Sequence, residues 1–367
     1  MPENDQTPSL TLHYLGFAIK PEEIEGPVGP TVYPRYKDYD PGTKIDTSED
    51  EGHTGTDTLV LSNDRDSAEC NPSFEDKIRF KEGFEDWLYL LAGSYDEPVP
   101  AIVGATIAKR YKFYLDALNP ITQLPRATIF QGYNWESAKA EMYDNVVLNS
   151  MKFTLDRGEA PKFEIDTVSD YAKYNQNEPT RVFATTDYKL KGSQGKIYMG
   201  DVGDSIASMK AAGALDYTKC GLELKNNVEA SDSGEFGKPK KDKKPFDGKL
   251  DITADYGLRL MNLEAEYATG SESGTDVTEE SLFKQFYIEY IGKKIETVAG
   301  APATDVFASM AVLLPKVDLT DVSSPRSGSD AKTVKIEGSI LNNGLTNPYE
   351  FDVVSPLSAL HFGTDLP

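Results

Sequence analysis

The stretch Asn145-Val-Val-Leu-Asn-Ser-Met-Lys-Phe-Thr-Leu-Asp156, then Arg157-Gly158-Glu159, then Pro161-Lys-Phe-Glu-Ile-Asp-Thr-Val168 decides the fold. Apolar residues occupy alternate positions on both arms: Met151, Phe153 and Leu155, then Phe163 and Ile165. The intervening positions are Lys152, Thr154 and Asp156, then Lys162, Glu164 and Asp166. Successive side chains of a strand point to opposite faces, so this pattern around a Gly turn predicts a hairpin with one buried and one wet face. A polar face of this kind can line a water-filled channel or simply face solvent, which is the commoner case. Upstream, Thr128-Ile-Phe-Gln-Gly-Tyr-Asn134 is aromatic and β-prone, and the residues joining it to the hairpin read as a helix-capable connector.

Working outward, Thr11 to Lys20, Thr58 to Leu61 and Arg110 to Leu115 read as further strands. Phe84, Trp87, Leu88 and Leu91 fall on one helical face, with Ser73 as the expected cap upstream and Gly93 as the stop. The second half reads in the same order. Strands are expected at Thr218 to Val228 and Lys249 to Tyr256, then a helix at Glu279 to Ile291, then strands at Val306 to Leu314 and Val334 to Leu341. The expected helix has Leu282, Phe283, Phe286, Tyr287 and Tyr290 as its apolar face.

The economical reading is a mainly β chain with short flanking helices, built from duplicated β-sandwich or barrel-like units. The first spans residues 1–195 and the second 196–367. Three segments read as loops, one of them Thr320 to Ala331, which is rich in Ser, Pro, Gly and Asp. In Glu22 to Asp57, four prolines (Pro27, Pro30, Pro34 and Pro41) argue against a central strand, while Tyr33, Tyr36 and Tyr39 suggest an interface. Ser231 to Gly248 carries Lys238, Lys240, Lys241, Lys243 and Lys244, a cluster suited to an acidic patch or to plain solvation.

Composition sets limits. With 60 acidic and 38 basic residues, the net charge of −22 argues against a protein that grips nucleic acid by neutralising phosphates. It does not argue against a surface past which DNA slides. Cys70 and Cys220 are too few for a disulfide framework, and free thiols fit a reducing cytoplasm. The N-terminus lacks the basic and apolar regions of a secretory signal, and no run is long and apolar enough for a membrane helix.

Motifs for chemistry are thin. His13, His53 and His361 have no neighbouring ligand at metal spacing, and no nucleophile elbow or phosphate-binding glycine loop is present. Gly200-Asp-Val-Gly-Asp204 is glycine-rich but acidic, and Asp38, Asp40 and Asp46 lack the order of a calcium loop. The expectation is therefore a non-enzyme with no catalytic residue, cofactor or metal.

The aromatic-Gly-Tyr strand, the long hairpin around Val147-Leu-Asn-Ser-Met-Lys-Phe-Thr-Leu155, the helix Phe84-Glu-Asp-Trp-Leu-Tyr-Leu-Leu-Ala-Gly93 and the strand Gly221-Leu-Glu-Leu-Lys-Asn-Asn-Val228 together resemble the tail tube proteins of long-tailed bacteriophages. The resemblance covers roughly residues 58 to 260 and contains no catalytic motif. It implies a virion protein made in the host cytoplasm, with no membrane partner. Rings of itself, from three or six chains, would stack into a hollow tube that also meets tape measure and tail terminator proteins. DNA would pass through the lumen without specific binding. On this reading Lys152, Thr154, Asp156, Lys162, Glu164 and Asp166 form the lumen or wet face, and Tyr33, Tyr36 and Tyr39 lie in an inter-subunit loop. The competing reading is a β-rich binding or adhesion module without catalytic activity.

Overall fold

The computed structural model describes residues 13–364 except 35–37, 41–42, 54–57, 119–122, 134–138, 171, 178–185, 187, 236–237, 244, 271–280, 301, 325–332 and 343. Its first half runs β1 (His13–Lys20), β2 (Asp38–Asp40), β3 (Thr43–His53), β4 (Thr58–Cys70), β5 (Ser73–Lys77), β6 (Arg79–Phe80) and α1 (Phe84–Ala92). It continues with β7 (Ser94–Pro100), β8 (Lys109–Tyr114), β9 (Arg126–Tyr133), β10 (Lys139–Thr154), β11 (Lys162–Val168), β12 (Lys173–Asn177) and β13 (Tyr188–Lys189). The second half runs β14 (Lys196–Asp201), α2 (Ile206–Ala211), β15 (Tyr217–Lys225), β16 (Val228–Glu235), β17 (Lys238–Lys243), β18 (Asp247–Asp255) and α3 (Leu258–Thr269). It ends with β19 (Phe283–Val298), β20 (Thr304–Ser323), β21 (Thr333–Ile340) and β22 (Glu350–Ser355). The chain is mainly β with few short helices. Among the described residues no helix is long and apolar enough to cross a membrane.

Strand pairing runs through one order twice. β1 pairs β9 as β14 pairs β19. β2 lies beside β5, β5 beside β11 and β11 beside β10, as β15 lies beside β18, β18 beside β21 and β21 beside β20. The long strand of each set, β10 or β20, takes β9 or β19 along its earlier part, and β12 or β22 pairs there too. Each set carries an inserted hairpin in the same place, β3–β4 after β2 and β16–β17 after β15. The helix of each set follows its second sheet strand, α1 after β5 and α3 after β18. The two sets are not separate bodies. β10 pairs β15 and β8 pairs β22 across the midpoint, so both contribute to one 16-stranded sheet and one main core.

Several expectations are corrected. The helix expected at Glu279 to Ile291 is not found in its described part: residues 283–298 form β19, with Phe286, Ile288 and Tyr290 buried at alternate positions. A run this rich in Phe, Tyr and Ile satisfies helical and strand periods together, and β-propensity with pairing to β14 and β20 decides it. The second helix is instead α3, which buries Leu260 and Leu263 and stops at Gly270 in the left-handed conformation. The helix-capable connector is strand from Lys139 onward. The expected loop 22–57 contains β2 and β3, the lysine-rich segment 231–248 is largely the hairpin β16–β17, and residues 320–323 of the third expected loop are the end of β20. Ser73 begins β5 rather than capping a helix, and α1 starts after Gly83, at φ 95°, where a Cβ would meet the Phe17 ring.

α1 is buried nearly all round, not on one face. Trp87 packs against Phe17 at 4.4 Å and Phe74 at 5.1 Å, while Phe84 meets Phe163 at 5.4 Å. Even its acidic residues Glu85 and Asp86 are inaccessible. Glu85 accepts the Lys81 amide at 3.0 Å and the Ser355 hydroxyl, and carboxylates are favourable at a helix N-terminus. Asp86 accepts both the amide and Nδ1 of His361, each at 2.7 Å. The C-terminal segment is thereby laced over the start of α1 and onto β1, where the Ile19 carbonyl accepts the Gly363 amide and the Ile19 amide donates to the His361 carbonyl, each at 2.9 Å.

This cluster sets a pH dependence. Burial raises Glu85 from 4.5 to about 7, with Asp86 adding to it and the Ser355 bond opposing. His361 is also raised: burial pulls it down, but the Asp86 hydrogen bond and the charges of Asp86 and Glu85 outweigh this. In both cases the folded state holds its proton more tightly, so the stabilisation is full at low pH and is lost as pH rises through the folded values. Unfolding free energy, measured by urea titration from pH 5 to 8.5, is expected to fall with pH. Glu85 alone contributes on the order of 3 kcal/mol across this window, and Glu85→Gln should flatten most of it. Stability that is flat or rising over that range would contradict this account.

Candidate functional site: the polar face of the shared sheet

The hairpin β10–β11 pairs Met151 with Ile165 and Phe153 with Phe163, and all four are buried with Leu155. Gly158 turns the chain at φ 86°. On the opposite face Lys152, Thr154, Glu164 and Asp166 are exposed, while Asp156 and Lys162 are half-buried. Asp156 also accepts the Cys220 amide at 3.2 Å, which ties the end of the hairpin to β15.

The polar face extends far beyond the hairpin. Glu75, Glu164, Lys152, Glu223, Lys249, Ser339 and Asp318 lie opposite one another in turn from β5 to β20. The adjacent polar row reads Lys77, Lys162, Thr154, Gly221, Asp251, Glu337 and Asp321. Between them runs the buried row Phe163, Phe153, Leu222, Leu250, Gly338 and Leu319. One sheet thus presents a continuous charged surface in which carboxylates outnumber lysines, backed by a continuous apolar layer.

Several neighbours on this surface carry like charges: Glu75 beside Glu164, Lys77 beside Lys162, and Asp251 beside Glu337 beside Asp321. Such pairs cost roughly 0.2–1 kcal/mol each, so folding stability does not explain them. Lys225 bonds Glu223 at 2.9 Å, and Glu337 raises the Lys335 ammonium by hydrogen bonding. These contacts lie within single strands, the first half-buried and the second more open to solvent. A shallow cleft of about 440 Å³ on this face is lined by Lys152, Glu223, Lys249, Asp251 and Glu337. Among the described residues no group of three or more His, Cys, Asp or Glu is placed to hold a metal ion.

Of the three tyrosines of the extended segment, Tyr33 is the one whose side chain lies among the described residues. Tyr33 is only 4% exposed and its ring lies against Gly16 of its own chain, so it is not a free anchor for a neighbour. Tyr36 lies outside the described residues, and Tyr39 sits in β2 opposite Phe74. In the lysine-rich segment Lys241 reaches an acid of its own chain, bonding Asp170 and the Asn145 carbonyl at 2.7 Å each. Burial lowers the Lys241 ammonium, with Asp170 opposing. Cys220 is a free, buried thiol, pushed up by burial, and is a packing residue.

Sequence reasoning missed Glu223, Lys249, Asp251, Glu337 and Ser339 as members of the face. Each lies in a segment whose alternation was visible, but which strands neighbour which is not written in alternation. No family model matches this chain, and no curated protein matches it.

Proposed function

We propose that this chain is a structural, self-assembling protein of the tail tube of a long-tailed phage, without catalytic activity. The observation that carries the reading is the strand order repeated along one chain, feeding a single sheet with one apolar and one charged face. A sheet whose end strands have no described strand on their outer sides has a simple way to remove its edges, which is to join copies of itself into a closed barrel. The charged face then lines the lumen, and its excess of carboxylates repels DNA phosphates so that the genome passes without sticking. Rings stack into the tube and meet the tape measure and terminator proteins at its ends, in the virion tail.

Two repeats per chain make three chains the natural ring, giving six similar units around the axis. Negative-stain microscopy and native mass spectrometry of the purified protein test this. Rings or hollow tubes with a three-chain mass are expected. A six-chain ring mass rejects the trimer, and a strict monomer at high concentration rejects the tube reading altogether.

A further inference from the structure

The internal repeat shows which edges of one copy should meet those of the next. In the first set, β9 pairs the early part of β10 as far as Val146, and the same edge then receives β15 at Ser150–Thr154. In the second set, β19 pairs the early part of β20 as far as Asp318. Beyond it, at residues 319–323, β21 occupies one edge of β20 and no described strand occupies the other. Leu319 still donates to the Leu282 carbonyl at 2.9 Å, and the Thr320 carbonyl accepts the Tyr267 hydroxyl at 2.7 Å.

The complementary gap lies at the other end of the sheet. β15 is held between β18 and β10, whereas its counterpart β2 pairs β5 and no described strand on its outer side. The end of β20 therefore lacks a partner of the β15 kind, and β2 lacks a partner of the β10 kind. We propose that β2 of a second copy pairs antiparallel with residues 321–323 of β20, just past the Leu282 and Tyr267 bonds, repeating between chains the β10–β15 junction found inside one chain. This assignment rests on the self-assembly reading and names the contact that performs it. It is head-to-tail, so one interface type suffices to close a ring.

The two junctions differ in charge. Inside the chain Lys152 faces Glu223 and Ser150 faces Lys225. Between chains, Asp38 and Asp40 approach Thr320 and Asp321 on the polar side.

Disulfide trapping tests the assignment. In a Cys70→Ser background, single variants Asp38→Cys, Asp40→Cys and Thr320→Cys are made at exposed positions and mixed pairwise under mild oxidation. The expected result is a two-chain band in the mixture of Thr320→Cys with one of the β2 variants. No such band should form in any variant alone, or in a mixture of Thr320→Cys with Lys112→Cys on β8. Rings or tubes that form without a β2–β20 crosslink overturn this assignment and leave the self-assembly reading standing. A protein that stays monomeric at low and high salt overturns both.

Discussion

Phe153→Ala is expected to lower the unfolding free energy by about 3–5 kcal/mol, the usual cost of emptying a large aromatic site in a packed core. Phe153 is completely buried, with ring centroids 5.5 Å from Phe351 and 6.4 Å from Phe84. Those partners belong to β22 and α1, so one side chain joins the hairpin, the helix and a strand from the far end of the sequence. Collapse around the cavity is hindered because each neighbour is itself fixed by hydrogen-bonded structure. The neighbouring Thr154→Ala, on the wet face, should change stability by no more than about 0.5 kcal/mol. Urea titration of the two variants gives the comparison. Similar losses in both would mean that the inward and outward faces are wrongly assigned, since a slip of one residue exchanges them.

Lys20→Met is expected to be as damaging, by about 3–5 kcal/mol, because it strands a buried carboxylate. The Lys20 ammonium is fully buried and bonds Asp144 at 3.0 Å, the Asn145 side chain at 2.7 Å and the Glu25 carbonyl at 2.8 Å. Asp144 also accepts the Thr128 hydroxyl at 3.1 Å, and that hydroxyl accepts the Val28 amide. The network sits where β10 changes partners, next to Asn145 with its positive φ of 50°. Removing both charges together, in Lys20→Met with Asp144→Leu, should recover much of the loss, because the penalty lies in the unpaired ion more than in the missing attraction. Equal destabilisation of the single and double variants in urea titration would show that the cost comes from packing instead.

Much of this architecture was legible in the residues, for definite reasons. The hairpin was readable because period 2 is the only pattern that places Met151, Phe153, Leu155, Phe163 and Ile165 on one side, and Gly158 supplies the turn. The stop of α1 at Gly93 was readable because glycine takes the left-handed conformation without strain. Local chemistry fixes these features before the chain folds.

What the tertiary structure decided was everything that depends on the identity of a neighbour. Residues 283–298 became a strand because β14 and β20 flank them, although their aromatic spacing also fits a helix. The four prolines of the first inserted segment all precede β3 and so leave the hairpin β3–β4 unhindered, while Pro239 and the lysines of the second lie in β16–β17, a hairpin outside the main sheet whose edges tolerate them. Glu85 and Asp86 look like surface residues of an amphipathic helix, yet Ser355 and His361, about 270 positions away, make their burial tolerable. The charged face follows the same rule. Alternation assigns each residue a side of its own strand, and only the pairing of strands distant in sequence joins those sides into one surface.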